Sequence, residues 1–138
     1  MNKEVEYLKN EDKESYKNFI ANVFDYDLQI SVLEKLIANN KVLIIKNQNK
    51  VIASVIIEEC FEYIKNQKYY RLSYFGVLKE YRRMGYANKI FEKINELVKQ
   101  NNINYIELTS GNHRKAAYYF YKSKDFKIKD TTVFVKLY

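Results

Sequence analysis

The segment spanning residues 69–100 constrains the fold more than any other part of the sequence. Residues Tyr69–Leu78 are aromatic and apolar, which predicts a buried strand. An amphipathic helix is predicted next, because apolar residues recur at the spacing of one helical face: Ala87, Ile90, Phe91, Ile94, Leu97 and Val98. A further strand is predicted at Tyr105–Thr109. A helix that crosses between two strands makes them parallel, so we expect a mixed sheet.

The turn between this strand and this helix has the composition of an anion site. It contains Arg82 and Arg83, whose charges do not titrate near neutral pH, and Gly85, which lets a ligand approach the backbone closely. The first turn of a helix offers unpaired N–H groups and the positive end of the helix dipole. The turn therefore predicts a phosphate site, with a plain glycine turn as the alternative. It lacks the further residues of a P-loop or a dinucleotide fingerprint.

The remaining sequence predicts shorter elements on both sides of this segment. Those before it are a strand at Val5–Leu8, a helix at Glu11–Phe24 capped by Asn10, a helix at Leu28–Ala38, and a hairpin of Lys41–Lys46 with Val51–Phe61. A helical stripe follows at Ala116, Ala117, Phe120 and Tyr121. At the C-terminal end, Lys127–Ile128 and Thr132–Leu137 predict a last hairpin that closes the sheet.

Composition limits the class of protein. The chain has 138 residues, no proline and only three glycines, which predicts one domain over residues 1–138. No apolar run reaches the ~20 residues of a membrane span, so we expect a cytoplasmic protein with no membrane partner. A single cysteine, Cys60, cannot form an internal disulfide. The net charge of +7 suits a polyphosphate ligand, although general solubility is the simpler explanation for most of the lysines. It suits nucleic acid less, because the lysines are scattered and no RNA-binding signature is present.

Two motifs resemble one enzyme family. Arg82-x-x-Gly85-x-Ala87, placed after a strand that ends at Val77, resembles the acetyl-CoA signature of the GNAT (GCN5-related N-acetyltransferase) family. The order and separation of the second motif, in residues 107–126, are also those of this family.

The second motif matches at Ala117, Tyr121 and Phe126. Arg114 stands where the family often has an asparagine, and resembles a subgroup with Ser-Gly-Asn-x-Arg before the helix. Asp125 replaces a glycine at a position that should end the helix in a left-handed conformation, which aspartate tolerates only moderately.

The resemblance implies an α/β (α+β) GNAT fold. This is a mixed, mostly antiparallel sheet of about six to seven strands with one splayed parallel pair, flanked by about four helices. It also implies direct transfer of the acetyl group of acetyl-CoA to a primary amine, without a metal. The implied coenzyme contacts are Phe75, Gly76, Val77, Arg82, Arg83, Met84, Gly85, Tyr86, Ala87, Asn112, Arg114, Ala117 and Tyr121.

The catalytic residues are less well defined than the coenzyme turn. Tyr121 occupies the position of the family's general acid, and a packing role is the alternative. The family's usual glutamate base falls on Ser73, which is no base. Glu58 and Glu59 are candidates on the preceding strand, where alternation places one on each face of the sheet. His113 is a further candidate, and its place at a helix start favours a solvated or capping role instead.

The acceptor amine is not identified by the resemblance. Substrate loops are expected at Asp25–Ser31 and Cys60–Lys68. Carboxylates in or next to these loops favour a cationic small molecule or a peptide or protein amine: Asp25, Asp27, Glu59 and Glu62. The alternatives are a non-catalytic module that binds or senses acyl-CoA and a basic RNA-binding protein. We expect a monomer or a homodimer.

Overall fold

The computed structural model describes residues 3–138, which divide into two compact units with the boundary between Leu108 and Thr109. In the first unit the elements are β1 (Glu6–Tyr7), a 3-10 turn (Asn10–Asp12), α1 (Lys13–Phe24), α2 (Ile30–Ala38), β2 (Val42–Asn47), β3 (Lys50–Glu62), β4 (Gln67–Val77), a second 3-10 turn (Lys79–Tyr81), α3 (Tyr86–Gln100) and β5 (Tyr105–Leu108). The second unit contains α4 (Lys115–Ser123). Within the described residues no helix is long and apolar enough to cross a membrane.

The sheet is mixed, as the sequence predicts. Its five strands lie in sequence order, and every neighbouring pair is antiparallel except β4 with β5. The helix α3 connects the parallel pair. Gln48 and Asn49, with φ of 51° and 65°, make the two-residue turn between β2 and β3, which matches the twist of a hairpin.

The two faces of the sheet are covered by different helices. Gly76 of β4 pairs with Ser54 of β3 and lies against the end of α1. Tyr70 of β4 pairs with Glu59 of β3, and its hydroxyl accepts a hydrogen bond from Asn101 at the end of α3. Because side chains alternate along β3, its even-numbered residues in this region face α1 and its odd-numbered residues face α3.

The start of α1 differs from the prediction. Asn10 does not cap the helix. It begins a 3-10 turn, and the buried Asp12 carboxylate accepts the Lys9 N–H at 3.1 Å and the Lys46 ammonium at 3.0 Å. The hydrogen bond from Lys46 to Asp12 raises the pKa of Lys46. Lys46 lies 34 residues away in the sequence, so local capping rules could not identify it.

The predicted last hairpin at Lys127–Ile128 and Thr132–Leu137 is wrong. Residues 126–138 contain no strand, so the described sheet has five strands rather than six or seven. Most apolar side chains of this segment are exposed, Phe134 by 90%. Alternation shows only that a segment can form a strand, since a strand also needs a neighbour with which to exchange hydrogen bonds.

A prediction on alkaline stability follows from Tyr16, which is fully buried in the core. Its hydroxyl lies near Ser54 without a regular hydrogen bond among the described residues, and burial raises its pKa above the usual 10.0. The unfolded chain therefore ionises Tyr16 first, and folding stability falls as the pH rises above about 10. Tyr16→Phe should leave stability at neutral pH unchanged or raise it by up to ~1 kcal/mol. It should also make the alkaline loss shallower, as measured by urea unfolding.

Tyr63→Phe is the matched control for this prediction. Tyr63 is 81% exposed, so this substitution removes a tyrosine hydroxyl that lies outside the core. An alkaline profile that is the same for Tyr16→Phe and for the unsubstituted protein would contradict the role of Tyr16.

Candidate functional site

A β-bulge interrupts β4 near its end. Ser54 pairs with Gly76 and Ile56 pairs with Ser73, so two residues of β4, Tyr74 and Phe75, lie opposite the single residue Val55. Tyr74 has a φ of 48°, in the left-handed region that a non-glycine residue rarely adopts. Bulges break the ladder of hydrogen bonds locally and redirect side chains, and strained residues concentrate at functional sites.

The bulge lies just beyond the point where the parallel pairing stops. The last pair of β4 with β5 joins Leu72 to Leu108, and β4 continues through Ser73–Val77 with β3 as its only paired strand among the described residues. The predicted coenzyme strand, Phe75 to Val77, is therefore the part of β4 that extends past β5. Phe75 is buried, and Gly76 and Val77 are partly buried.

Gly76 fixes the end of α1 on this part of the strand. A Cβ placed on Gly76 would lie 2.9 Å from Phe24 Cζ and 2.9 Å from Val23 Cγ1, closer than real contacts allow. The Phe24 ring packs edge-on against the Tyr74 ring, with the centroids 5.1 Å apart. The absence of a side chain at Gly76 thus lets α1 contact the bulged strand directly.

The predicted anion turn follows β4 after one 3-10 turn. Arg82 is exposed and its Nε donates to the Val77 carbonyl at 3.1 Å, which ties the turn to the end of the strand. Arg83 and Gly85 both have left-handed backbones, with φ of 63° and 86°. Gly85 is the N-cap of α3 and contributes no side-chain oxygen to the helix start, so the first-turn N–H groups suit an external anion.

The first turn of α3 has a mixed surface. Tyr86 is buried and packs edge-on against Tyr81 at 6.2 Å, which anchors the helix start. Ala87 is partly buried and Met84 is 63% exposed. The residues Tyr86–Lys89 are neutral or basic, so no carboxylate competes with an anion at this helix end.

The matched residues of the second predicted motif lie in the other unit. Arg114 is the N-cap of α4, Asn112 lies exposed in the turn before it, and Ala117 is partly buried on the helix. Asp125 has a φ of 65°, so the expected left-handed helix end is present despite the loss of glycine. The Phe126 N–H donates to the Tyr121 carbonyl and the Asp125 N–H to the Lys122 carbonyl, which is the Schellman arrangement.

Tyr121 packs within this unit against two aromatic neighbours. Its ring is 5.5 Å from that of Phe126 and 5.6 Å from that of Phe120. Burial raises the pKa of Tyr121, and the charge of Arg114 acts in the opposite direction. The phenol is therefore protonated at neutral pH, as a proton donor must be.

The two candidate bases lie on opposite faces of the sheet, as alternation predicts. Glu58 is on the α1 face and its carboxylate accepts a hydrogen bond from the Lys41 ammonium at 2.8 Å. Glu59 is on the α3 face, where it lines a cavity of about 230 Å³ together with Tyr70 and Asn101. Glu58 follows Ser54 by four residues, which places it about 13 Å along the strand from the bulge. His113 is exposed in the second unit.

The two predicted substrate loops lie at opposite ends of the β3–β4 hairpin. Residues 25–31 follow α1 and adjoin the bulge, whereas residues 60–68 include the turn that joins the two strands. Gln67 and Tyr74 are seven residues apart, which is about 23 Å along an extended strand. The Glu62 carboxylate accepts the N–H groups of Ile64 and Lys65, so it shapes its own turn. Only the first loop is next to the bulge.

Sequence reasoning did not single out the aromatic residues at the bulge. Phe24, Tyr26 and Tyr74 form a continuous edge-to-face cluster there, with Tyr26 and Tyr74 6.1 Å apart. The chain contains 14 tyrosines and 8 phenylalanines, so aromatic identity alone did not mark these three.

Comparison with known sequences identifies the family. The sequence model of the acetyltransferase (GNAT) family matches residues 5–126, a range that includes parts of both units. This protein belongs to the GNAT acetyltransferase family. A search of curated proteins finds no match.

Solved structures of acetyltransferases share the fold. A GNAT acetyltransferase from Staphylococcus aureus is 24% identical, with a TM-score of 0.74 and 100% coverage of both chains. Ribosomal-protein-alanine N-acetyltransferase from Brucella melitensis is 12% identical, with a TM-score of 0.81 and coverage of 98% of this chain and 99% of that one. AAC(6')-Iy, in complex with the bisubstrate analogue CoA-S-monomethyl-acetylneamine, is 9% identical, with a TM-score of 0.85 and coverage of 100% and 99%.

The contact of Gly76 with α1 yields a stability prediction. Gly76→Ala should lower the free energy of unfolding by about 1–3 kcal/mol, because the new methyl group overlaps Phe24 and Val23. Phe24→Leu in the same chain should recover part of that loss, since it removes the overlapping Cζ atom. Urea unfolding of the single and double variants measures both effects.

Gly85→Ala is the matched control for the rescue. A Cβ on Gly85 meets no atom of the described residues within 4 Å, and its cost of about 1–2 kcal/mol comes from the left-handed backbone alone. Phe24→Leu should give no recovery in that background. If Phe24→Leu recovers the same unfolding free energy in the Gly76→Ala protein as in the Gly85→Ala protein, the packing argument is contradicted.

Proposed function

We propose that this protein is an N-acetyltransferase that moves the acetyl group of acetyl-CoA directly to a primary amine. One observation carries the proposal: the bulged end of β4 leads within ten residues to a glycine-started helix flanked by two exposed arginines. This pairs a site for an acyl group with a site for a phosphate on one continuous backbone. Membership of the GNAT acetyltransferase family supports the same activity.

The coenzyme is proposed to bind along this backbone. The amides of Gly85, Tyr86 and Ala87 suit the pyrophosphate, and Arg82 and Arg83 add positive charge, with Met84 on the exposed rim. Further contacts are proposed for Asn112, Arg114, Ala117 and Tyr121. The solved complex of AAC(6')-Iy contains a CoA-based bisubstrate analogue, and we extend CoA binding to this chain on that likeness of fold.

The proposed chemistry uses backbone groups and positioning. The backbone N–H groups of the Phe75–Val77 strand polarise the thioester carbonyl in the manner of an oxyanion hole. The neutral amine nitrogen attacks the carbonyl carbon, the carbon–sulfur bond breaks, and the thiolate leaves. Tyr121 gives its proton to the sulfur, and its raised pKa keeps the phenol protonated at neutral pH before that step. Holding the two reactants together supplies several kcal/mol of the barrier reduction.

Glu58 is the better of the two candidate bases. It lies on the same face of β3 as Ser54, whose partner Gly76 adjoins the bulge, whereas Glu59 lies on the opposite face. At about 13 Å along the strand, Glu58 would take the amine proton through water molecules. The Glu58 carboxylate is held in place by a hydrogen bond from the Lys41 ammonium at 2.8 Å.

The second candidate function is a non-catalytic module that binds acyl-CoA. It is favoured by Ser73, since the strand position that carries the family's usual base has no ionisable group here. In either case we propose that residues 1–138 act as a single domain, because the family match spans residues 5–126. An assay of free CoA thiol with a panel of amines separates the two functions, because only the enzyme releases thiol in an amine-dependent way.

Coenzyme binding is tested by thermal unfolding. CoA or acetyl-CoA at a hundredfold excess over the dissociation constant should stabilise the fold by roughly 2.7 kcal/mol. Gly85→Val should weaken the affinity more than tenfold, or about 1.4 kcal/mol, because its side chain covers the helix start. Arg82→Ala should weaken it less and in a salt-dependent way. A folded protein that shows no shift with either ligand would contradict the proposal.

The role of Tyr121 is tested by Tyr121→Phe, which keeps the ring contacts with Phe120 and Phe126. Turnover should fall roughly tenfold to a hundredfold, at the low end for general acid catalysis, because a CoA thiolate is a fair leaving group. The melting temperature and acetyl-CoA affinity should hold. Tyr119→Phe, on an exposed tyrosine of the same helix, is the control. Unchanged turnover with lower stability would assign Tyr121 to packing alone.

A further inference from the structure

Three aromatic side chains meet at the bulge and remain partly open to solvent. The rings of Phe24 and Tyr74 are 5.1 Å apart at 88°, and those of Tyr74 and Tyr26 are 6.1 Å apart at 87°. Tyr26 is 60% exposed and Tyr74 is 43% exposed. We name the cluster of Phe24, Tyr26 and Tyr74 the aromatic corner.

The aromatic corner is held in place by the packing beneath it. Phe24 is fixed against Gly76 and also packs edge-on against Phe19, which is fully buried. Tyr74 is held at a φ of 48° by the pairs on either side of the bulge, at a cost of about 1–3 kcal/mol for such a backbone. Two exposed tyrosine rings are thus kept in a fixed mutual orientation, although backbone strain and the exposure of apolar surface both destabilise that arrangement.

The charge around the aromatic corner is negative on its loop side. Asp25 and Asp27 flank Tyr26 in the sequence, and both are exposed. Asp27 has an ion pair with Lys17 at 3.5 Å, but its side chain is 78% accessible and the pair is correspondingly weak. The ring faces of tyrosine attract cations, and carboxylates next to them add to that attraction.

We propose that the aromatic corner recognises the acceptor by a second positive charge, so that the acceptor is an amine bearing another cationic group, as in a linear diamine. The ammonium group that does not react lies against Tyr26 and Tyr74, and the reacting amine, in its neutral form, reaches the bulge beside them. This inference rests on the proposed function, since it names the substrate class of the same site. It makes Tyr26 and Tyr74 specificity residues rather than catalytic ones.

The first test is direct binding. The probes are a linear five-carbon diamine, which is a dication at neutral pH, and the neutral diol of the same length. Titrations are followed by NMR with isotope-labelled tyrosine, assigned by substitution. We expect the diamine to shift the ring signals of Tyr26 and Tyr74, and the diol to leave them in place. Equal shifts with the diol, or diamine shifts confined to other tyrosines, would overturn the proposal.

Variants separate the aromatic surface from the hydroxyl groups. Tyr26→Leu and Tyr74→Leu should each weaken diamine binding about fivefold, the scale of one exposed cation–π contact, while Tyr26→Phe and Tyr74→Phe should retain it. Tyr26 lies in an exposed loop, so its variant reports on binding even where Tyr74→Leu disturbs the bulge. Normal diamine affinity in Tyr26→Leu would overturn the proposal.

Tyr63→Leu is the matched control. Tyr63 is also an exposed tyrosine, but it lies in the turn at the far end of the β3–β4 hairpin. It belongs to the other predicted substrate loop, so a loss of diamine affinity in Tyr63→Leu that equals the loss in Tyr26→Leu would place the acceptor there and overturn the proposal.

Kinetics distinguish this inference from the proposed function. With acetyl-CoA present, the diamine should be acetylated with a lower KM than the monoamine of equal length, and Tyr26→Leu should raise that KM without lowering kcat. Acetylation of both amines with equal KM would overturn the inference alone. Diamine binding at the aromatic corner, without any thermal shift from acetyl-CoA, would overturn the proposed function while the cation site stands.

Discussion

The contact between Gly76 and the end of α1 is the interaction on which the site depends. With no side chain at this position, Phe24 and Val23 reach the backbone of β4 at the bulge. The same contact fixes Phe24 against Tyr74, so one glycine positions both the strand end and the exposed aromatic rings. A methyl group there would push α1 away and change both, because packed interiors have no room to absorb it.

The candidate anion turn that follows β4 is shaped by backbone geometry. Arg82 ties the turn to Val77, and the left-handed residues Arg83 and Gly85 reverse the chain into α3. The start of α3 is then anchored by the buried Tyr86. Most of the groups in the proposed coenzyme site are therefore main-chain N–H groups on rigid elements, which would need little reorganisation when charge develops.

Much of the fold was predictable because its signals are local. The 3.6-residue period of α3 and the apolar run of β4 identified a strand, a turn and a helix close to their observed bounds. The helix end at Asp125 was also placed by its motif, although an aspartate occupies it. The structural predictions failed where an element depends on a neighbour that is distant in the sequence. The segment 126–138 alternates but pairs with no strand, and Asp12 contacts Lys46 from a distant part of the chain.

The sequence by itself determined most of the helices and strands up to Leu108, and it marked the start of α3 as a candidate anion site. Those properties follow from side-chain periodicity and from the presence of glycine and arginine within a few residues of one another. Only the tertiary structure decided the bulge at Tyr74, the face on which Glu58 lies, and which loop adjoins the site. These depend on the register between β3 and β4, and a shift of one residue there reverses the face of every side chain. A left-handed tyrosine is stable only because the pairs on both sides of it fix the strand, and no local pattern specifies that constraint.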